Sequence, residues 1–169
     1  MKLSKLTTTL AITLLCAACS PHSHKNSDTI IKLKNGTMVE FKTANHVILK
    51  SASGQMIQES YFTHPTFAEA RAQLKTMQHN LIENRQAFLT QNIHYPLRVN
   101  INGRADFIKT SKELKQKFDT VFTSQTVNAI LHQNPYRLFS NSQGVTVQGG
   151  AVWFSDKGIT TVNLFSTKH

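Results

Sequence analysis

Short apolar runs separated by turn dipeptides fill the stretch from Asp28 to Phe62. Ile30, Ile31 and Leu33 lead into Asn35-Gly36, the strongest short hairpin signal, and Met38, Val39 and Phe41 follow it. Val47, Ile48 and Leu49 precede a second turn at Ser53-Gly54, and Met56, Ile57, Tyr61 and Phe62 complete an expected β-meander. The period then changes. After His64-Pro65, the residues Phe67, Ala70, Leu74, Met77 and Leu81 recur every three or four positions, and Phe88 lies on the same stripe. Thr66 and Glu69 stand where a capping box needs them, so one helix is expected over 66–89. The stripe lasts barely three heptads and falters at Arg85, which favours a core-facing helix over a coiled coil.

Alternation returns at Tyr95 to Asn102, where Tyr95, Leu97, Val99 and Ile101 face one way and Arg98, Asn100 and Asn102 the other. Thr110 to Asp119 reads as a shorter helix, with Thr110 and Glu113 as a second capping box. Ser124 is the expected cap of a further helix carrying Val127, Ile130 and Leu131, which stops before Asn134-Pro135. Three strands close the chain: a short one at 136–140, a long one at 144–154 and a last one at 159–165, with Asp156-Lys157-Gly158 turning between the last two. Gly149 and Gly150 inside the long strand suit a sharp bend or bulge. This order of elements gives an α+β layer arrangement.

The head of the chain follows neither period. Lys2 and Lys5 precede a mostly apolar run from Leu6 to Leu15, and small residues with a cysteine follow. That order is a secretory signal. The run is too short for the roughly 20 residues that span a bilayer. Leu15-Cys16-Ala17-Ala18 before Cys19 resembles a bacterial lipoprotein lipobox, with Cys16 where the pattern has an aliphatic residue. The resemblance implies cleavage after 18, lipidation of Cys19 and a membrane held through that anchor. Ser20 at the next position implies the outer membrane, if the source has one. Ordinary cleavage near Ala18 without lipid is the alternative. Residues 1–18 are then a signal peptide, 19–27 a lipidated cysteine and polar tether, 28–62 the β-rich segment and 63–169 the α+β domain. His22 and His24 lie in the tether without further ligands, so they read as linker and not as a metal site.

Composition narrows the partners. The two cysteines, Cys16 and Cys19, both belong to the head, so the folded part has no disulfide, thiol nucleophile or thiolate ligand. The chain has 19 Lys+Arg against 9 Asp+Glu; loss of Lys2 and Lys5 leaves 17 against 9, a net charge of +8. Such a charge favours an acidic protein, anionic lipid head groups or an anionic envelope polymer. Nucleic acid fits the charge but not the export signal.

Several pieces of the second half carry a further resemblance. They are Tyr95-Pro96-Leu97, the run KFDTVFT from Lys117, Leu138-Phe139 with Asn141, and Gln143-Gly144-Val145 through Gly149-Gly150-Ala151-Val152-Trp153-Phe154 to Ile159 and Asn163. Residues 81–164 resemble exported bacterial proteins of the nuclear-transport-factor-two-like superfamily. The resemblance implies a cone, in which a curved antiparallel sheet wraps a long helix. Such families include enzymes, adaptors and structural proteins, so the shape alone assigns no activity.

Enzymes of that shape place an acid or base inside the cone. The three strands at 95–102, 144–154 and 159–165 carry no carboxylate, and Asp106, Glu113, Asp119 and Asp156 fall on caps, helices or turns. His94 and His132 stand at element ends. No phosphate loop, dinucleotide fingerprint, HExxH or nucleophile elbow occurs. No catalytic residue and no cofactor is therefore assigned. Tyr95, Arg98, Asn100, Asn141, Trp153 and Asn163 are the candidate pocket residues, mixing apolar walls with a few polar groups. For Trp153, filling the core competes with stacking on a ligand. The leading expectation is a non-catalytic envelope lipoprotein that binds a protein or an anionic surface, as an accessory or inhibitor. A small-molecule carrier or sensor using the cone pocket comes second, and a small hydrolase or isomerase third.

Overall fold

The computed structural model describes residues 29–164; Cys19, the lipobox-like head and the tether lie outside them. The chain begins as the expected meander. Strands β1 (Thr29–Lys32), β2 (Met38–Thr43), β3 (His46–Lys50) and β4 (Met56–Tyr61) form a four-stranded antiparallel sheet in chain order. Both turn dipeptides close hairpins: Leu33 N donates to Thr37 O at 2.8 Å and Gly54 N to Ser51 O at 2.9 Å. Val39 lies opposite Leu49 and Phe41 opposite Val47, which puts one apolar face on the core.

Helix α1 (Phe67–Glu83) starts on a complete capping box, in which Thr66 Oγ1 accepts from Glu69 N and Glu69 Oε2 accepts from Thr66 N. The single helix expected through Leu89 is instead two. Asn84 leaves the helical region (φ −148°, ψ 76°), and its side chain accepts from Ala87 N at 3.0 Å to start α2 (Arg85–Gln91). A carboxamide able to cap a new helix makes the break cheap, and the break turns Phe88 and Leu89 into the core.

The second sheet has six strands: β5 (Ile93–Ile101), β6 (Arg104–Ile108), β7 (Phe139–Asn141), β8 (Gly144–Val147), β9 (Val152–Ser155) and β10 (Gly158–Leu164). Their order is β6-β5-β10-β9-β8-β7. Helices α3 (Ser111–Gln116), α4 (Phe118–Val121) and α5 (Ser124–Leu131) lie between β6 and β7 in the chain. The sheet is mixed, not antiparallel throughout as expected, because β10 runs parallel to β5. Parallel neighbours need a long crossover, and α3 to β9 supply it. Strand β6, which closes the Asn102-Gly103 hairpin, was not expected, and it places Asp106 within a strand opposite Val99 and not on a cap, helix or turn.

Three local expectations shift by a residue or more. Thr123, not Ser124, caps α5, accepting from Thr126 N at 3.3 Å. Thr110 accepts from Glu113 N, but Glu113 reaches back to Lys109 N at 2.9 Å and not to Thr110. The long strand at 144–154 is two strands, β8 and β9, folded back on each other around a turn at Gln148–Gly150. Successive positive φ values of 47°, 63° and 99° at Gln148, Gly149 and Gly150 make that reversal; the two glycines take theirs without strain, while Gln148 sits in the left-handed region that non-glycine residues seldom adopt.

One continuous cluster joins Val39, Val47 and Leu49 of the meander to Leu74 and Met77 of α1, Phe88 of α2 and Leu97, Val145, Phe154 and Val162 of the larger sheet. The meander is thus a second sheet sharing the main core. A Gln58 Nε2 hydrogen bond to Leu138 O at 3.1 Å links the two sheets at the start of β7.

Candidate binding site

Strand alternation gives the six-stranded sheet a buried face and an open one. Leu97, Val99, Val162, Val152, Phe154, Val145 and Val147 are buried among the helices. On the opposite parity, register pairs form one row across all six strands: Phe107, Arg98, Thr161, Trp153, Thr146 and Phe139. Trp153 stands in the middle of that row and is half-buried. Of its two expected placements, the one the fold adopts leaves the indole bordering open space, with its Nε1 edge over Gly150.

The indole separates two cavities. The larger, about 670 Å³, is walled by Leu49 and Ile57 of the meander, Phe139 and Asn141 of β7, the Gln148–Gly150 turn, and His132 to Asn134 with Arg137 from the segment after α5. The smaller, about 390 Å³, is lined by Arg98, Asn100, Gln143, Trp153, Thr161 and Asn163. No aspartate or glutamate lines either. The cationic groups Arg98 and Arg137 therefore set the sign of the field there.

The larger cavity is built, not incidental. Gln78 of α1 donates to the carbonyls of Ile130, Leu131 and Gln133 at 2.9, 3.3 and 3.0 Å, fixing where α5 ends. Arg71 of α1 stacks on the Tyr136 ring at 3.7 Å. Gln133 donates to Asn134 O and Arg137 O, while its Oε1 accepts from Gln148 N at 3.0 Å. The segment after α5 is thereby locked to α1, and Gln133 in turn holds the backbone of the Gln148–Gly150 turn.

Five of the six candidate pocket residues share this face. Arg98 Nε donates to Asn100 Oδ1 at 2.9 Å, Asn100 Nδ2 to Asn163 Oδ1 at 2.6 Å, and Asn163 Nδ2 to Gly150 O at 2.5 Å. This relay ties β5 and β10 to the turn under Trp153. Asn141 lies in the larger cavity, its Oδ1 accepting from Gln143 N. Tyr95 is not part of the group. It packs against the core on the other parity, its hydroxyl donates to Leu89 O at 3.0 Å, and burial pushes its phenol up to about 12. Arg137, Gln148 and Phe139 were missed. Phe139 was legible from its two-residue offset to Asn141, but Arg137 and Gln148 sit in irregular backbone that carries no period.

Titratable groups elsewhere are arranged for structure. Among the described residues the one buried carboxylate is Glu40, on the meander face opposite Val39, Val47 and Leu49. It is held between Lys42 and Lys50, and hydrogen bonds first from Lys42 and then from Lys50 lower it to about 2. A carboxyl depressed in the folded state stabilises fully above its unfolded value near 4.5, and that contribution disappears as pH falls toward 2. Glu40→Gln is therefore expected to flatten the fall of Tm between about pH 5 and pH 2. A Tm–pH curve parallel to wild type would contradict this. His94 is half-exposed, whereas His132, exposed at the wall of the larger cavity, uses Nδ1 on Asn128 O at 3.0 Å. Among the described residues, no three His, Cys, Asp or Glu side chains gather as a metal would require. The two cavities thus present an indole, carboxamides, two guanidinium groups and the imidazole of His132.

Comparison of the chain with protein-family models, with curated proteins and with solved structures found no match.

Proposed function

We propose that this chain is a non-catalytic envelope lipoprotein that holds an acidic partner against its Trp153 face. The observation that carries the reading is the cavity pair around Trp153, flanked by Arg98 and Arg137 and free of carboxylates. The signal-like head supports the location: Cys19 is the site of lipidation, 19–27 is the tether, and the anchor lies in the outer membrane if the source has one. Among the described residues no helix is long and apolar enough to cross a membrane. The open face around Trp153 supports an accessory or inhibitor role, with an acidic envelope protein or polymer as the partner on this reading and no nucleic acid. The same reading takes the larger sheet and its helices as a cone whose interior is filled, supported by the full burial of Phe88, Leu97 and Phe154 between them.

The test removes charge from two places. Mature protein should bind immobilised polyglutamate, and Arg98→Gln/Arg137→Gln should weaken binding at least tenfold. Lys75→Gln/Lys112→Gln, which removes the same charge from exposed helix positions, should weaken it about twofold through long-range field alone. Equal losses in the two double variants would show generic charge attraction and end the proposal.

A carrier or sensor of small molecules is the second reading, with its site on the open face and not, as expected, in the cone, whose interior is filled. The observation favouring it is the 670 Å³ cavity, which falls within the roughly 300–1,000 Å³ of small-ligand pockets.

A further inference from the structure

The hydrogen-bond inventory of the larger cavity says what kind of molecule fits it. Among the described residues, the Arg137 guanidinium, Trp153 Nε1–H, Asn141 Nδ2 and the Gln148 carboxamide have no hydrogen-bond partner, although each borders the cavity. The free groups are mainly donors, so the ligand must be rich in acceptors. The exposed Arg137 guanidinium has no carboxylate beside it and is available to an anion, and its planar fork matches a carboxylate. The indole supplies a flat apolar platform in the middle of these donors.

Trp153 itself stands on an interior strand. Strand β9 is paired on both sides, with β8 and with β10. The indole itself therefore offers no backbone for strand addition; the edge the cavity offers is that of β7, whose Phe139 and Asn141 line its wall. Recognition on the ring therefore runs through side chains. A pyranose suits that demand: its C–H face lies on an aromatic ring, and its hydroxyls and ring oxygen meet carboxamides. We infer that the Trp153 cavity takes a carboxylate-bearing sugar, with the ring on the indole, Arg137 on the carboxylate, and Asn141 and Gln148 on the hydroxyls. This deepens the reading of Trp153 as an acidic-partner site and rests on it. Because the indole borders both cavities, a second sugar unit would pass toward Arg98.

Trp153 is the sole tryptophan of the chain, so its fluorescence reads the site directly. Mature protein would be titrated with tetragalacturonate, a glucuronate tetrasaccharide and N-acetylneuraminate, with fully methyl-esterified tetragalacturonate and hexaglutamate as comparisons. At least one acidic sugar should give a saturable change. The neutral ester, and Arg137→Gln with the acidic sugar, should each bind at least tenfold more weakly, while Lys112→Gln should leave binding within twofold. Arg137 is exposed, so its replacement should leave the fold intact, and circular dichroism would confirm this. No response to any acidic sugar, or an ester that binds as well as the acid, overturns the inference. A response to hexaglutamate without one to the sugars removes the sugar and leaves the acidic-partner reading standing. Silence toward both removes both.

Discussion

Gly158→Ala is expected to destabilise the protein by about 3 kcal/mol or more, against about 1–2 kcal/mol for Gly54→Ala. Both glycines have positive φ, +114° and +85°, so both substitutions strain the backbone. The difference lies in what a methyl group would meet. At Gly54 nothing stands within 4 Å, whereas at Gly158 the new Cβ would lie 2.7 Å from Asn92 O and 2.9 Å from Asn92 C. These are backbone atoms, which cannot rotate away as a side chain can. Moving them breaks the hydrogen bond from Ile159 N to Asn92 O, 2.8 Å long, which starts the pairing of β10 with β5. Urea midpoints of the two variants, with slopes unchanged, measure the difference. Gly158→Ala within about 0.5 kcal/mol of Gly54→Ala would mean that the β5–β10 junction yields easily, contrary to this account.

Phe88→Ala is expected to cost about 3–5 kcal/mol. Phe88 is fully buried and meets Phe122 edge-on at 5.2 Å and Phe118 edge-on at 6.3 Å. Phe118 and Phe122 stack on each other at 5.2 Å, and the Arg85 guanidinium covers Phe118 at 4.3 Å. Removing the Phe88 ring leaves a cavity that two stacked rings on α4 and its C-terminal cap cannot fill without losing their own contacts. Phe107→Ala is the comparison. That ring is 50 % exposed on edge strand β6, and its loss should stay within about 0.5–1 kcal/mol. Similar losses for the two would show that the junction of α2 with α4 is not a packed core. The prediction also tests the helix break at Asn84, because a helix continuing straight through 84 would carry Phe88 elsewhere.

The site was partly legible before folding was considered. Alternation from Tyr95 to Asn102 put Arg98 and Asn100 on one face, and the same rule on β10 holds Asn163 there. Tyr95 was misplaced because mixed polarity was taken as a pocket signal, when its parity with Leu97 already marked it as core-facing. The relay through Asn100 and Asn163 depends on β10 lying parallel to β5. No local pattern carries that information, since strand order arises from which edges remain unpaired once the helices have docked. Arg137 reaches the cavity only because Gln78, 59 positions earlier, holds the end of α5.

What the sequence determined by itself was local: two turn dipeptides, a capping box, two apolar periods and a cysteine-free basic body. Each depends on neighbours within a few positions, where backbone preference and side-chain spacing suffice. The tertiary structure decided the mixed sheet, the shared core of the two sheets and the gathering of Arg98, Arg137 and Trp153 around one space. Those depend on burying apolar faces against each other, and burial rewards area removed from water without regard to distance along the chain.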